Sequence, residues 1–321
     1  NYRFDEQLQE YVNDPLGDYI LRVLTTDELM PVVELKTSTR LRLEPSRLFA
    51  GQKQVKKPKL WRKAVIAVSS ETYVAIEERT QEKDVWQIYL LNLSRFRRPG
   101  VTIFGNLQLR QDLFLFEHNR NFSLRLRHSS RDETNNQYLE GGQDRIEREN
   151  SARLTTRMTD RISSQSELVS KRTARTFAFA GRQNRDVYAT QVSTDVSFRP
   201  KAPLEIALEG RLSWEEDRVY EIPTQVRAYA LTPRVNYSLQ SRGRLHGELE
   251  WSLVDAKPKG RVIPYEMANG RSLGTSLRWD LRFDYRVSQT IQASFSYSGR
   301  NEPERDRVIH TGRAQVTAAF R

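Results

Sequence analysis

The chain of 321 residues has no cysteine, so it can build neither a disulfide framework nor a thiolate metal site. No apolar run approaches the roughly 20 residues that a spanning helix needs, which excludes a helical membrane protein. Hydrophobic residues make up only 37% of the sequence and the mean hydropathy is −0.70, values that by themselves describe a heavily solvated or disordered polypeptide. Histidine is scarce: the four are His118, His128, His246 and His310, and none forms a His-Glu-x-x-His pair. No glycine-rich phosphate loop follows a predicted strand, and Gly141-Gly142 reads as a turn in a polar loop. These absences leave no expected cofactor and no expected metal. A signal peptide is also missing, and Asn1 is not a natural start, so the chain reads as a mature or trimmed segment.

What is present is basic charge and a strict order. The net charge is +11, but the 52 Lys and Arg residues are interspersed with 41 Asp and Glu. They recur inside alternating stretches such as Ser123-Leu124-Arg125-Leu126-Arg127, with no basic helix and no aromatic stacking motif. Nucleic acid is therefore not an expected partner.

The order is a two-residue period. Tyr188, Thr190, Val192, Thr194, Val196 and Phe198 share one parity, with Gln191, Ser193, Asp195 and Ser197 on the other, which predicts a strand with one apolar and one polar face. The pattern returns at Leu204 to Trp214, and at Leu245 to Leu253. It returns again at Leu273 to Tyr285, at Ile291 to Tyr297 and at Ala314 to Phe320. Val226, Ala228 and Ala230 begin another strand that reaches Val235, Tyr237 and Leu239, with Pro233 predicting a bulge. Upstream, Leu107 to Leu115, Phe122 to Leu126, Leu154 to Met158 and Val33 to Leu43 alternate in the same way, as do Val65 and Ala67. Trp86, Tyr89, Leu90, Leu93 and Phe96 instead suit a short amphipathic helix near 84–97.

Two further regularities point to a membrane barrel. Links near 117–120, 161–165, 199–203, 239–243 and 287–290 are short, whereas those near 131–147, 179–186, 216–224, 256–271 and 300–307 are longer and more polar, the asymmetry of periplasmic turns and outside loops. Phe198, Tyr237, Tyr285 and Phe320 fall at the predicted turn-side strand ends, and Tyr188, Trp214 and Tyr297 toward the opposite rim, as an interfacial aromatic girdle requires. The polar parity carries Arg153, Arg157, Arg278, Asp280, Arg282, Asp284 and Arg286, a set expected to form a charge ladder in a hydrated lumen.

The terminal stretch Ala314-Gln315-Val316-Thr317-Ala318-Ala319-Phe320-Arg321 resembles that of outer-membrane barrel proteins, in which a last-position aromatic is the signal read by the assembly machinery. Here Arg321 follows Phe320, a departure from that pattern. Asn13-Asp14-Pro15-Leu16-Gly17-Asp18-Tyr19, followed by the strand at Val33 to Leu43, is similar to the start of barrel regions in large surface proteins such as SprA-like translocon components. That resemblance implies continuation from a larger upstream polypeptide.

The sequence therefore predicts an all-β fold: an antiparallel transmembrane β-barrel of about 12–14 strands, an even number being usual for bacterial single-chain barrels. A lead-in segment at 1–30 precedes a barrel at 31–321. The expected role is a Gram-negative outer-membrane scaffold or porin-like translocation component at the cell surface, contacting outer-membrane lipid and other envelope or surface proteins. Two other readings compete. One is a barrel enzyme acting on lipid or peptide, for which His310 near Asp306 is the arrangement to inspect. The other is a soluble secreted β-sandwich adhesion module, in which the aromatics would be ordinary core residues.

Overall fold

The computed structural model describes residues 2–5, 10–13, 19, 32–48, 65–81, 86, 100–137, 142–178, 183–240, 242–259, 263–264, 266–303 and 307–319. Strands β1 (Tyr2–Asp5) and β2 (Glu10–Asn13) pair as a separate two-stranded sheet. The principal sheet holds 13 strands. They are β3 (Val33–Leu43), β4 (Val68–Thr80), β5 (Thr102–Leu115), β6 (Phe122–Asn135), β7 (Gln143–Arg157), β8 (Ile162–Phe177) and β9 (Arg185–Lys201), then β10 (Leu204–Asp217), β11 (Thr224–Leu239), β12 (Gly243–Lys257), β13 (Gly274–Arg286), β14 (Ile291–Asn301) and β15 (Ile309–Ala318). Each pairs antiparallel with its sequence neighbours, so the sheet is an uninterrupted meander from β3 to β15. Among the described residues no ladder joins β3 to β15.

Strand β10 shows how the period becomes a two-faced wall. Leu208 and Trp214 point one way and are 47% and 42% exposed, while Ser213 and Glu215 point the other way and are 5% and 7% exposed. A soluble protein has the opposite arrangement, because removing apolar surface from water is what drives it to fold. The inversion extends along the sheet, with Leu126, Leu168, Val192, Leu231, Trp251, Leu281 and Phe295 all exposed on the apolar face. The ladders meanwhile satisfy the backbone donors and acceptors internally, as hydrocarbon surroundings demand.

The short side matches the sequence reading at 158–161, 202–203, 240–242 and 287–290. It departs from it between β3 and β4, where the link at 44–67 lies on the turn side but is long and begins with the helix α1 (Pro45–Leu48). Val65 and Ala67, expected in a strand, precede β4 instead. Strand β4 was not legible because polar residues occupy both its faces: Ser70 and Thr72 on one, Glu71 and Glu77 on the other. The helix expected at 84–97 lies outside the described residues except for Trp86.

The link expected at 131–147 shrinks to 136–142, because β6 and β7 run on past the end of their apolar pattern. Strands β6 to β9 are 14, 15, 16 and 17 residues long, against the about 9–11 that cross a bilayer. On their apolar-face parity the extension is polar: His128 Nδ1 lies 2.8 Å from Asn150 Oδ1, and Arg148 pairs with Asp132. Met158, expected at the end of a strand, lies in the turn after β7.

Pro233 makes no bulge. Register against β10 is continuous through Leu208↔Pro233, and the ladder to β12 skips only from Leu231↔Trp251 to Arg234↔Glu248, since proline has no N–H to donate. The parity inferred for β11 is therefore corrected. Tyr229, Leu231, Val235 and Tyr237 face the apolar side, and Val226 and Ala228 turn to the polar side, where they are buried.

Candidate functional site

Val226 and Ala228 are buried because a loop is laid over them. After β12 the chain folds back onto the polar face, and a 3-10 turn at Ala268–Gly270 packs against Val187, Val226, Ala228, Val254 and Ala256. Met267 and Ala268 are 1% and 0% exposed. Burial of a valine or methionine side chain of this kind contributes roughly 1.5–3 kcal/mol. Three consecutive residues, Ala268, Asn269 and Gly270, take left-handed φ values of 55°, 53° and 70°, a conformation costly for the first two that must be held by their surroundings.

Those surroundings are polar latches from three strands. Arg175 on β8 donates from Nη1 to Glu266 Oε1 at 2.9 Å. Glu215 on β10 accepts the Ala268 N–H at 2.8 Å, and Arg271 grips Glu250 of β12 through two bonds of 3.1 and 2.7 Å. Beside the loop lies a cavity of about 390 Å³ lined by Arg145, Glu147, Lys171, Arg175, Glu215 and Glu266 among others. The long loop expected at 256–271 thus does not only project outward; part of it fills the polar side.

Elsewhere the polar face is a lattice of cross-strand charges. Asp112 on β5, 2% exposed, receives Arg127 Nε and Nη2 at 2.6 and 3.1 Å and has Arg110 Nε at 3.3 Å. Arg110 also approaches Glu71 at 3.6 Å, and Arg40 approaches the same carboxylate at 3.5 Å, so the charges connect β3 through β6. Such pairs span the roughly 4.5–5.5 Å between opposed residues of an antiparallel ladder.

The residues expected to form one ladder are all on this face but fall into separate pieces. Arg153 bonds Glu167 at 2.8 Å, whereas Arg157 is exposed at the end of β7 opposite Ser163. Arg278 bonds Glu302 at 3.1 Å, with Arg300 at 3.7 Å from the same carboxylate. Asp280 stands between Glu248 and Ser298, Arg282 bonds Asp284 at 3.0 Å, and Arg286 lines a second cavity near the turns. Pairing in sequence order could not be read from period alone, since it depends on register. Asp112 and the loop latches were missed for that reason.

The apolar face carries the expected aromatics. Phe198 and Tyr237 are exposed near the turns, and Tyr285 lies against Gly243, where an added Cβ would meet its ring at 2.8 Å. Phe320 lies outside the described residues. Toward the loops, Trp214 is exposed, and Tyr188 has Arg172 and Arg218 over its ring at 5.0 and 4.3 Å. Arg218, beyond the end of β10, is held above the ordinary guanidinium pKa by its hydrogen bond to Glu216. Tyr297 sits mid-strand opposite Leu281 rather than at a rim. Ile206 lies beside Phe198, and from Ile206 to Trp214 the strand climbs roughly 26 Å at about 3.3 Å per residue. After a tilt of about 40° this rises roughly 20 Å, most of an apolar band about 25 Å tall.

His310 is on the apolar face, with Nδ1 2.8 Å from Tyr297 Oη and its ring 5.5 Å from that of Trp279. Asp306 lies outside the described residues. Among the described residues no group of three or more His, Asp or Glu side chains is placed to hold a metal ion.

No protein-family model matches the chain, and no curated protein matches it. Several solved structures are similar in fold at low identity. The ferric-catecholate import receptor Fiu from E. coli K12, in its open form, is 9% identical with a TM-score of 0.49, over 77% of this chain and 52% of that one. OmpT, an outer membrane protein of Vibrio cholerae, is 7% identical with a TM-score of 0.37, over 84% of this chain and 86% of that one. The KdgM porin is 12% identical with a TM-score of 0.29, over 68% and 97%. The chain spans about half the length of Fiu, at 52%, and of the siderophore receptor PirA from Pseudomonas aeruginosa, at 49%.

Proposed function

We propose that the chain forms the wall of an outer-membrane β-barrel whose polar interior is a charge-lined passage narrowed by the loop after β12. The observation that carries this reading is the inverted wall: bulky apolar side chains exposed on one face from β5 to β15, and ion pairs on the other. Lipid is the solvent that suits the first face and water the one that suits the second. A soluble sandwich would bury Leu208, Trp214 and Trp251 between two sheets, yet all three are exposed.

The latched loop supports a passage over a mere anchor, because a wall with no solute to control has no use for a segment held across its interior by three separate strands. A partnership with other envelope or surface proteins, as part of a translocation assembly, fits the same wall. Reconstitution of the folded chain in planar bilayers tests the passage: discrete conductance steps are expected. A persistent seal at all voltages and salt concentrations would leave a scaffold role only.

A further inference from the structure

A second cavity of about 520 Å³ lies on the polar face at the turn-side end of β11 to β14, lined by Ser238, Arg242, Arg244, Arg282, Asp284, Arg286 and Gln292 together with Gly243 and Tyr285. Its charge is unlike that of the lattice above it. Four guanidinium groups meet one carboxylate, and Asp284 is already bonded to Arg282 at 3.0 Å. Arg244 is opposite Asp284 in register without bonding it, and Arg242, Arg244 and Arg286 form no ion pair with any described residue. Higher on the same strands, Arg234 and Arg278 each have a carboxylate. Cations that repel one another around a hollow, with one carboxylate among four of them, stand there at a cost in stability that a bound anion would offset.

We propose that this hollow binds a small soluble oxyanion carrying two or more negative charges, of the phosphate or phosphate-ester class. The planar guanidinium fork matches phosphate oxygens two at a time, and arginines from adjacent strands present such forks from two sides. Ser238 and Gln292 supply neutral hydrogen-bonding groups at the margin. A lipid headgroup is disfavoured because Arg244, Arg282, Asp284 and Arg286 have the parity opposite to Leu245 and Phe283, which line the apolar side. The inference rests on the reading of the polar face as water-filled, and it adds a ligand class to it.

The test is titration of inorganic phosphate into the detergent-folded full chain at constant ionic strength, followed by phosphorus NMR line broadening. Holding ionic strength fixed removes diffuse screening as a variable. Saturable one-site broadening is expected, weakened at least tenfold in the pair Arg244→Gln and Arg286→Gln. The pair Arg157→Gln and Arg161→Gln, which removes the same charge at the same turn-side end of the sheet, should retain wild-type binding. Equal weakening in both pairs, or broadening that never saturates in the wild type, overturns the site. Strand circular dichroism checks folding, and Arg286→Gln alone, at an exposed strand end, serves with a smaller expected loss of about threefold if the double variant does not fold. No conductance enters this readout, so a sealed chain that binds phosphate and a conducting chain that does not are separable results.

Discussion

Arg175 on β8 and Glu266 in the loop after β12 are 91 residues apart in sequence and joined by a 2.9 Å bond. That bond ties the inserted loop to a strand four positions away in the sheet order, so the loop crosses the polar face instead of resting on its own hairpin.

If the polar side conducts as proposed, cutting this tie should widen the passage. Glu266→Gln is expected to raise single-channel conductance and its variance in planar bilayers, and a double-mutant cycle with Arg175→Met should give a coupling of about 1 kcal/mol, as for a partly buried charged pair in one network. Identical conductance in both proteins would mean that the loop does not restrict flow.

Leu212→Arg places a charge in the middle of the apolar face. If that face meets lipid, the variant should lose about 2–4 kcal/mol of folding stability in vesicles by denaturant titration, the cost of a basic residue near the bilayer midplane. Gln191→Arg, on the polar face of the adjoining strand, should cost about 0.5 kcal/mol or less. Equal penalties would refute the assignment of the two faces.

The alternation that identifies these faces was legible in sequence wherever a strand crosses the apolar belt, as at Val192 to Phe198 or Leu277 to Tyr285. It failed where a strand leaves that belt. His128, Asp132 and Arg148 continue β6 and β7 with polar residues on both sides, so the ladder persists after its hydrophobic signature has ended. At β11 the alternation was present but misassigned: Val226 and Ala228 are apolar because a loop covers them, and period alone does not reveal what lies opposite a face. The charge partners were hidden for a related reason. Arg153 bonds Glu167 only because β7 and β8 align at Arg153↔Glu167, a register set by the whole hairpin.

Asp112 is the carboxylate on which Arg127 and Arg110 converge, and it is nearly inaccessible to water. Asp112→Asn keeps the shape while leaving two guanidiniums facing a neutral group, and a loss of about 2–3 kcal/mol is expected, in the range for hydrogen bonds to charged groups. Chemical denaturation in vesicles measures it, and a change under about 0.5 kcal/mol, ordinary for a surface site, would be incompatible with this role.

Gly299 is opposed to Trp279, and a Cβ built on it would lie 2.2 Å from the indole Cζ2. Gly299→Ala must therefore push the ring aside, away from His310, with an expected cost of about 1–3 kcal/mol for overpacking. Trp279 emission, isolated by replacing the other tryptophans with phenylalanine, should shift on this substitution. An unchanged spectrum would place the ring elsewhere.

The margins of the sheet have one more implication. Because direction alternates at every hairpin, β3 and β15 point the same way. A cylinder sealed by hydrogen-bonding them to each other would contain a single seam of slanted, evenly spaced bonds among ladders that are otherwise perpendicular. A cylinder sealed by one interposed strand would have no such seam and would hold an even number of staves. The geometry of closure is thus set by the parity of the meander, before any side chain on either margin is considered.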